Sequence, residues 1–203
     1  MVKKISNSLN MPHPSGIAKL PSGYHLERGV PSITEYRNLR KSAGLTPVTE
    51  AQAARVASGS WYGCHITCQD ENNGQLRAVA MGRIIGDGGW YFHIADMATL
   101  PEYQRKGLGS IILKHLLAYI KENAPEDGTP YISLFADPPG RRLYESNGFV
   151  AGEHFNELGM VKEWIDEKHF GSVAKIDATQ ACKEGKGELD VATKSHRPSR
   201  QSS

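Results

Sequence analysis

The spacing of apolar residues changes along the middle of the chain, and this change separates a strand from a helix. Residues 90–99 are apolar and aromatic with few polar interruptions, as is typical of a buried strand. Pro101 follows in a short turn and blocks further ladder bonding. From residue 107 onward, apolar side chains recur every three or four residues, which is the period of an amphipathic helix. The pattern therefore predicts a central strand over 90–99 and a helix over 107–123.

The same two periods predict the elements on either side. The predicted strands cover residues 24–30, 61–69, 76–85 and 131–136, and the predicted helices cover residues 33–43, 50–57 and 141–146. Glycine-rich turns join the middle strands into an antiparallel meander, whereas a crossover through the long helix makes 131–136 parallel to the central strand. Residues 149–153 and 157–164 are predicted to form a closing hairpin. We expect an α/β (α+β) fold in which a mixed, mostly antiparallel sheet carries helices on both faces.

The two ends of the chain differ in composition from the middle. Residues 1–22 are rich in Ser, Pro, Asn and Gly, which predicts a flexible N-terminal arm. Residues 166–203 contain one aromatic residue, Phe170, among mixed charges, and cannot bury enough apolar surface to fold by themselves. We therefore predict one folded domain over 23–165 and a disordered C-terminal tail over 166–203.

Composition and charge limit the classes of partner. The chain is 39% hydrophobic and carries a net charge of +2, which does not by itself indicate a nucleic-acid partner. No apolar run approaches the length of a transmembrane helix, so we expect no membrane partner. Cys64, Cys68 and Cys182 lack metal or redox spacing, and no His, Cys, Asp and Glu cluster indicates a metal site. We expect reduced cysteines, a cytoplasmic location, and a monomer or a homodimer.

The junction between the central strand and the long helix has the features of an anion site. Gln104-Arg105-Lys106-Gly107-Leu108-Gly109 lies where the helix begins, and the first N–H groups of a helix have no internal partner. The two glycines allow a bulky anion to approach the backbone, and two cations stand beside them. A P-loop motif is absent, and a dinucleotide fingerprint would require a third glycine at Ile112. The segment therefore predicts a site for phosphate or pyrophosphate.

Two segments resemble the signatures of a known family. Residues 104–109 resemble the Q/R-x-x-G-x-G/A signature of the GNAT family of N-acetyltransferases. Residues 141–149, RRLYESNGF, are similar to the second signature of that family, usually written LYEKxGF. The two occur in the expected order, and the resemblance covers roughly residues 24–162. It implies the fold of that family, with the helices of residues 31–60 shaping the choice of acceptor.

The resemblance also implies a co-substrate and the residues that bind it. The co-substrate would be acetyl-CoA, with its pyrophosphate on the N–H groups of residues 105–110 and its pantetheine arm paired with the exposed edge of the central strand. The implied contacts are Met97, Ala98, Thr99, Gln104, Arg105, Lys106, Gly107, Leu108, Gly109 and Ser110. Asp137 stands where relatives often have an asparagine that contacts the cofactor, so that contact is not carried over.

Direct acetyl transfer requires a base for the amine and stabilisation of the oxyanion. His93, eleven residues before Gln104, lies where family members often place a catalytic histidine or carboxylate, and its ordinary pKa of about 6.5 suits a base at neutral pH. The alternative is a strand histidine whose ring is satisfied by a neighbour. Asp96 differs from His93 in strand parity, so a regular strand would place it on the opposite face, and a bulge would reverse this.

The departing thiolate needs a proton or a hydrogen-bond donor. Tyr144 matches the tyrosine that family members use as a general acid toward the sulfur. Proton transfer from a phenol with a pKa of about 10 to a thiolate of about 8.5 is uphill, so Tyr144 is also expected to act as a hydrogen-bond donor. The alternative is a tyrosine that only packs its short helix onto the sheet.

Three functions remain open from the sequence. The favoured one is an acetyl-CoA-dependent N-acetyltransferase that acts by direct transfer on the primary amine of a small molecule, with arylalkylamines among the candidates. A protein or peptide lysine or N-terminal acetyltransferase is the first alternative, although residues 31–60 lack the acidic cluster that a basic peptide would favour. A CoA-binding sensor module without turnover is the second.

Overall fold

A computed structural model describes residues 19–70, 74–157 and 159–160. The strands are Tyr24–Arg28 (β1), Tyr62–Gln69 (β2), Leu76–Gly86 (β3), Tyr91–Thr99 (β4) and Tyr131–Leu134 (β5). The α-helices are Ile33–Ser42 (α1), Glu50–Ala53 (α2), Val56–Gly59 (α3), Leu108–Asn123 (α4) and Arg141–Glu145 (α5). Short 3-10 helices occupy Pro101–Tyr103, Pro138–Gly140 and Gly152–Phe155.

The five strands form one sheet in the order β1-β2-β3-β4-β5. The first four strands are antiparallel neighbours, and β5 is parallel to β4, which confirms the mixed, mostly antiparallel sheet. The β4–β5 pairing ends at Ile94 and Leu134, whereas β4 continues to Thr99. An opening between β4 and β5 therefore begins halfway along β4, whose C-terminal half has a strand neighbour, among the described residues, on its β3 side alone.

Helices α1 and α4 pack on opposite faces of the sheet. A Cβ atom at Gly82 would touch Ile112 and Leu116 of α4, so Gly82 faces that helix. The next residue, Arg83, points to the other face, where it binds Asp96, and the Asp96 carboxylate also binds Arg40 of α1. The prediction of helices on both faces is confirmed.

The long helix α4 supplies much of the core because its apolar face is almost fully covered. Its buried apolar residues are Leu108, Ile111, Ile112, Leu113, Leu116 and Ile120. Each contributes roughly 1.5–3 kcal/mol by removing its side chain from water. The apolar period of the helix predicts that His115 lies on its polar side, and the structure contradicts this prediction. The side chain is buried, with Nε2 2.9 Å from the Tyr62 hydroxyl, so a tyrosine partner compensates its burial.

Two predicted elements differ from the structure. The helix predicted over 50–57 is divided into α2, which begins with a capping box between Thr49 and Gln52 and ends at Ala53, and α3, which begins at Val56. The strand predicted over 149–153 is wrong, since Gly152–Phe155 forms a 3-10 helix and Asn156 adopts a left-handed conformation with φ 58°. Val150 is exposed, so this segment buries too little apolar surface to pair with a sheet. Most of the predicted partner strand, 157–164, lies outside the described residues.

The chain divides into two units, Met1–Gly159 and Met160–Ser203. All of the elements above belong to the first unit. The predicted tail over 166–203 and most of the predicted arm over 1–22 lie outside the described residues, so both stay predictions. None of the helices that the structure describes is long and apolar enough to cross a lipid bilayer.

Candidate active site

The loop before α4 is shaped by two left-handed residues. Arg105 has φ 62° and Gly107 has φ 78°, and α4 begins directly afterwards at Leu108. The first helical hydrogen bond runs from the Ile111 N–H to the Gly107 carbonyl, at 3.1 Å, and no side chain in the described part of the chain caps the helix. The N–H groups of residues 108–110 therefore remain available at the positive end of the helix dipole. A Cβ atom at Gly107 would meet nothing within 4 Å, so open space borders the loop.

The side chain of Lys106 has a structural role that the sequence did not predict. Its Nζ atom lies 3.4 Å from the Tyr24 hydroxyl and 4.9 Å from the centre of the Tyr103 ring. Tyr24 belongs to β1, so the hydrogen bond joins the loop to the edge strand, and the cation–π contact joins it to the 3-10 helix Pro101–Tyr103. The predicted role of Lys106 in anion binding stays a prediction.

Two further contacts join the loop to its surroundings. The Gln104 side chain donates a hydrogen bond to the Thr99 carbonyl at 3.1 Å. A Cβ atom at Gly109 would lie 3.5 Å from Leu143 Cδ2 and 3.7 Å from Thr99 Oγ1. Gly109 thus lies where the end of β4, the start of α4 and the helix α5 meet. The two sequence signatures, far apart along the chain, are brought into contact here.

The C-terminal half of β4 presents a backbone edge to the opening. Asp96 has φ 55°, and the pairing changes from Arg83 with Ala95 to Met81 with Ala98, so β4 contains a bulge. The Leu100 N–H donates to the Val79 carbonyl at 2.9 Å, toward β3. The Thr99 carbonyl belongs to the same trans peptide and points the opposite way. The backbone of residues 97–99 therefore lines the opening, as expected for a strand edge that binds an extended amide chain.

His93 lies beside the point where β4 and β5 separate. It is opposite Ser133 in the parallel pair, with Nδ1 3.1 Å from the Ser133 hydroxyl, and its ring centre lies 5.3 Å from that of Phe135. Partial burial lowers the pKa of His93 below its ordinary value of 6.5, and the positive charge of Arg83 lowers it further. The imidazole is therefore neutral at pH 7, and in the tautomer whose Nδ1–H donates to Ser133 the Nε2 atom is left to accept a proton.

Asp96 is placed on the same face of the sheet as His93. The bulge cancels the change of parity that separates the two residues on a regular strand. The carboxylate is nearly buried, with 9% of its side chain exposed, and it binds both Arg40 and Arg83. It also accepts a hydrogen bond from the Tyr36 hydroxyl at 2.6 Å. These three donors make Asp96 a structural anchor of the site and a weaker candidate base than His93.

Tyr144 lies on α5, whose C-terminal end is closed by the left-handed Gly148. The Phe149 N–H donates to the Tyr144 carbonyl and the Gly148 N–H donates to that of Glu145, each at 3.1 Å, which is the Schellman arrangement. Burial raises the pKa of Tyr144 above 10, and the nearby charge of Asp137 raises it further. The hydroxyl has no hydrogen-bond partner within the described ranges of the chain. A protonated phenol is thus free to donate to a ligand.

Several site residues were not found from the sequence. Nothing in the sequence around Ser133 indicated a role in the site, because its contact with His93 depends on the register of β5. Arg83 could have been recognised from the sequence, because a charged residue within the apolar strand sequence LRAVAMGRIIG requires a buried partner or a function. In the described part of the chain, no group of three or more His, Cys, Asp or Glu side chains is arranged to hold a metal ion.

Solved structures with the same fold include a probable acetyltransferase of unknown function from meticillin-resistant Staphylococcus aureus. It is 33% identical, with a TM-score of 0.61 over 70% of this chain and 99% of that chain. A GNAT family acetyltransferase from Streptococcus pneumoniae is 21% identical, with a TM-score of 0.54 over 70% of this chain and 98% of that chain, and shows likeness of fold alone.

Sequence relatives include a ribosomal protein bS18-alanine N-acetyltransferase from Escherichia coli, which is 28% identical over 64% of this chain and 74% of that protein. An uncharacterized N-acetyltransferase from Porphyra purpurea is 29% identical over 42% of this chain. The match to the Porphyra purpurea protein spans less than half of its length, namely 47%. The sequence model of the Acetyltransferase (GNAT) family matches residues 34–149, which is more than half of the chain. The chain therefore belongs to the GNAT acetyltransferase family.

Proposed function

We propose that this protein is an acetyl-CoA-dependent N-acetyltransferase that transfers the acetyl group directly to the primary amine of a small molecule. The observation that carries the proposal is the position of His93, a neutral imidazole next to the gap between β4 and β5. A base placed at this gap is close to the strand edge on which the acyl donor would lie. The expected cytoplasmic location and the monomeric or homodimeric state remain predictions.

The residues present fit acetyl-CoA on two observations. Open space borders the left-handed Gly107, and the N–H groups of residues 108–110 at the start of α4 have no side-chain cap among the described residues, as a pyrophosphate site requires. The backbone of residues 97–99 lies along the gap, where it would pair with the amides of pantetheine. Arg105, whose guanidinium makes no ion pair within the described ranges, would contribute positive charge. When bound, acetyl-CoA supplies an activated acyl group as a thioester.

His93 would act on the acceptor amine. An alkylamine with a pKa of about 10 is mostly protonated at neutral pH, so the reaction requires removal of a proton. The free Nε2 atom would accept this proton before the amine attacks. As the new C–N bond forms and the C–S bond breaks, the nitrogen loses a second proton, which the departing thiolate takes up. The Ser133 contact at Nδ1 would fix the ring orientation during this step.

Tyr144 would stabilise the leaving thiolate. Because its pKa is raised, the phenol holds its proton and would stabilise the thiolate chiefly as a hydrogen-bond donor. Its helix contacts Gly109 through Leu143, which supports a position close to the co-substrate loop.

A protein acceptor is the second candidate, because the Escherichia coli relative is a ribosomal protein bS18-alanine N-acetyltransferase. Its acceptor would be the α-amino group at a protein N-terminus, with a pKa of about 8 that makes deprotonation easier.

The test is acetyl-CoA turnover, measured by released thiol, against arylalkylamines, amino acids, amino sugars, polyamines, lysine peptides and peptides with N-terminal alanine. We expect turnover with a small primary amine, and loss of this turnover in His93→Ala. Turnover confined to the N-terminal peptides would favour the protein acceptor. Tight CoA binding without turnover would overturn the proposal in favour of a CoA-binding sensor.

A further inference from the structure

We propose that the acceptor is an aromatic α-amino acid, whose carboxylate binds Arg83 and whose side chain rests on the aromatic surface beside His93. This inference rests on the proposed function and specifies its acceptor. The evidence is the arrangement of charge and aromatic surface around His93 on the α1 face of the sheet.

The charges around Asp96 do not balance. Two guanidinium groups, those of Arg40 and Arg83, share the single carboxylate of Asp96, and their side chains are each 14% exposed. The third group on this carboxylate is the neutral Tyr36 hydroxyl. Among the described residues, the cluster therefore has an excess of one positive charge in a poorly solvated position. Such a charge favours an anionic ligand, because an unpaired charge shielded from water is costly.

Each of the three guanidinium nitrogens of Arg40 already donates a hydrogen bond, whereas Arg83 has one that does not. Arg40 directs Nε and Nη2 to the Thr46 carbonyl and Nη1 to Asp96. Arg83 gives Nε to Asp96 and one long bond of 3.3 Å from Nη1 to Ser60. Its Nη2 group makes no hydrogen bond among the described residues. A planar guanidinium with free donors matches a carboxylate.

Register places Arg83 close to the base. Arg83 is opposite Ala95 and Ile85 is opposite His93, so Arg83 and His93 are diagonal neighbours on one face of adjacent strands. Diagonal neighbours have Cα atoms roughly 7–8 Å apart. The lowering of the His93 pKa by the charge of Arg83 agrees with this proximity. An amine and a carboxylate on one carbon atom are spaced to reach both side chains.

The other side of His93 is aromatic and exposed. Phe135 is 67% exposed while its ring centre lies 5.3 Å from that of His93. Tyr91 and Tyr131 lie opposite each other with ring centres 5.3 Å apart, and they share the face of His93 and Ser133. Tyr131 donates a hydrogen bond to Glu157, which holds its ring in place. An exposed aromatic surface continuous with a proposed base is suited to a planar apolar group.

The reaction balances without a further reactant. The α-ammonium group loses one proton to His93, and the free amine forms the C–N bond and loses a second proton, while the thioester C–S bond breaks and the departing thiolate takes up that proton to leave as CoA. The carboxylate and the aromatic ring are unchanged and serve only to hold the amine beside Nε2.

The test compares kcat/KM for three acceptors: L-phenylalanine, its carboxamide and L-alanine. The carboxamide keeps the ring and the amine but removes the negative charge, and alanine keeps the charge but removes the ring. We expect L-phenylalanine to exceed each of the other two by at least about tenfold. Equal or faster acetylation of the carboxamide would overturn the inference while leaving the proposed N-acetyltransferase intact. Absence of turnover with all amines would instead overturn the proposed function.

Arg83→Gln and Arg40→Gln form a matched pair for the role of Arg83. Each variant leaves one arginine paired with Asp96, so neither creates an unpaired buried charge. We expect Arg83→Gln to reduce the ratio of L-phenylalanine to carboxamide turnover by at least about tenfold, with Arg40→Gln changing it less. Equal effects of both variants would show that Arg83 acts through the charge of the cluster alone and would overturn the proposed contact.

Discussion

The Nδ1 atom of His93 lies 3.1 Å from the hydroxyl oxygen of Ser133, across the last part of the parallel β4–β5 pair. This contact uses one ring nitrogen and leaves Nε2 for proton transfer. It also explains how a histidine within a strand keeps a defined orientation at the edge of an opening. Both consequences are testable.

Replacement of His93 by alanine should lower kcat/KM by about 10²–10⁴-fold near neutral pH, the usual contribution of a general base. The loss of kcat/KM should become smaller as the pH rises toward the pKa of the amine, because the amine is then already deprotonated and no longer needs a base. In the wild-type enzyme the acid limb should lie below pH 6.5, since burial and Arg83 lower the pKa of His93 and protonation abolishes its function. The measurement is a pH profile of both proteins.

A uniform loss across the whole pH range would contradict a role for His93 as base. Ser133→Ala provides the control for orientation, because it removes the Nδ1 contact while retaining the imidazole. It should keep an acid limb and lower the rate less than His93→Ala does.

Tyr144→Phe should lower kcat by about a hundredfold, the scale of one lost transition-state donor. The affinity for CoA should be nearly unchanged, since phenylalanine retains the ring that packs against Phe149. Titration calorimetry with CoA and steady-state kinetics separate the two quantities. Parallel losses of kcat and of CoA affinity would indicate that Tyr144 is structural.

Gly107→Ala should weaken acetyl-CoA binding by at least about tenfold, because the added methyl group would occupy the open space beside the loop and strain a left-handed residue. Gly44 is the matched control. It also has a positive φ, 83°, and its Cβ would meet nothing within 4 Å. Gly44→Ala should lower the free energy of unfolding by a similar amount, roughly 1–2 kcal/mol, and should retain acetyl-CoA binding. Equal binding by the two variants would exclude an anion site at Gly107.

Asp96→Asn should decrease the free energy of unfolding by about 3 kcal/mol, because it leaves Arg40 and Arg83 without their shared counter-charge in a poorly solvated position. Asparagine tolerates the left-handed conformation of residue 96, so the variant isolates the charge. Glu102→Gln, which removes an exposed partner of Arg77, should cost less than about 1 kcal/mol. Urea denaturation of both variants measures the difference, and equal costs would show that the Asp96 cluster is not a stabilising anchor.

The sequence by itself determined the strand-to-helix junction and both signatures, because their information is local. A left-handed glycine before a helix, an apolar face with a helical period and a glycine cap at residue 148 each depend on neighbouring residues alone. The same holds for the antiparallel meander, whose strands follow one another through short turns.

The tertiary structure decided the features that depend on strand register and on contacts between residues far apart in the sequence. The bulge that brings Asp96 onto the face of His93 arises from the pairing of β4 with β3, and alternation along one strand predicted the opposite face. Lys106 binds Tyr24, which is 82 positions away, and Arg40 reaches Asp96 across 56 positions. Contacts across such separations are set by how the sheet and helices pack. Their residues show no periodic signal by which a single sequence could reveal them.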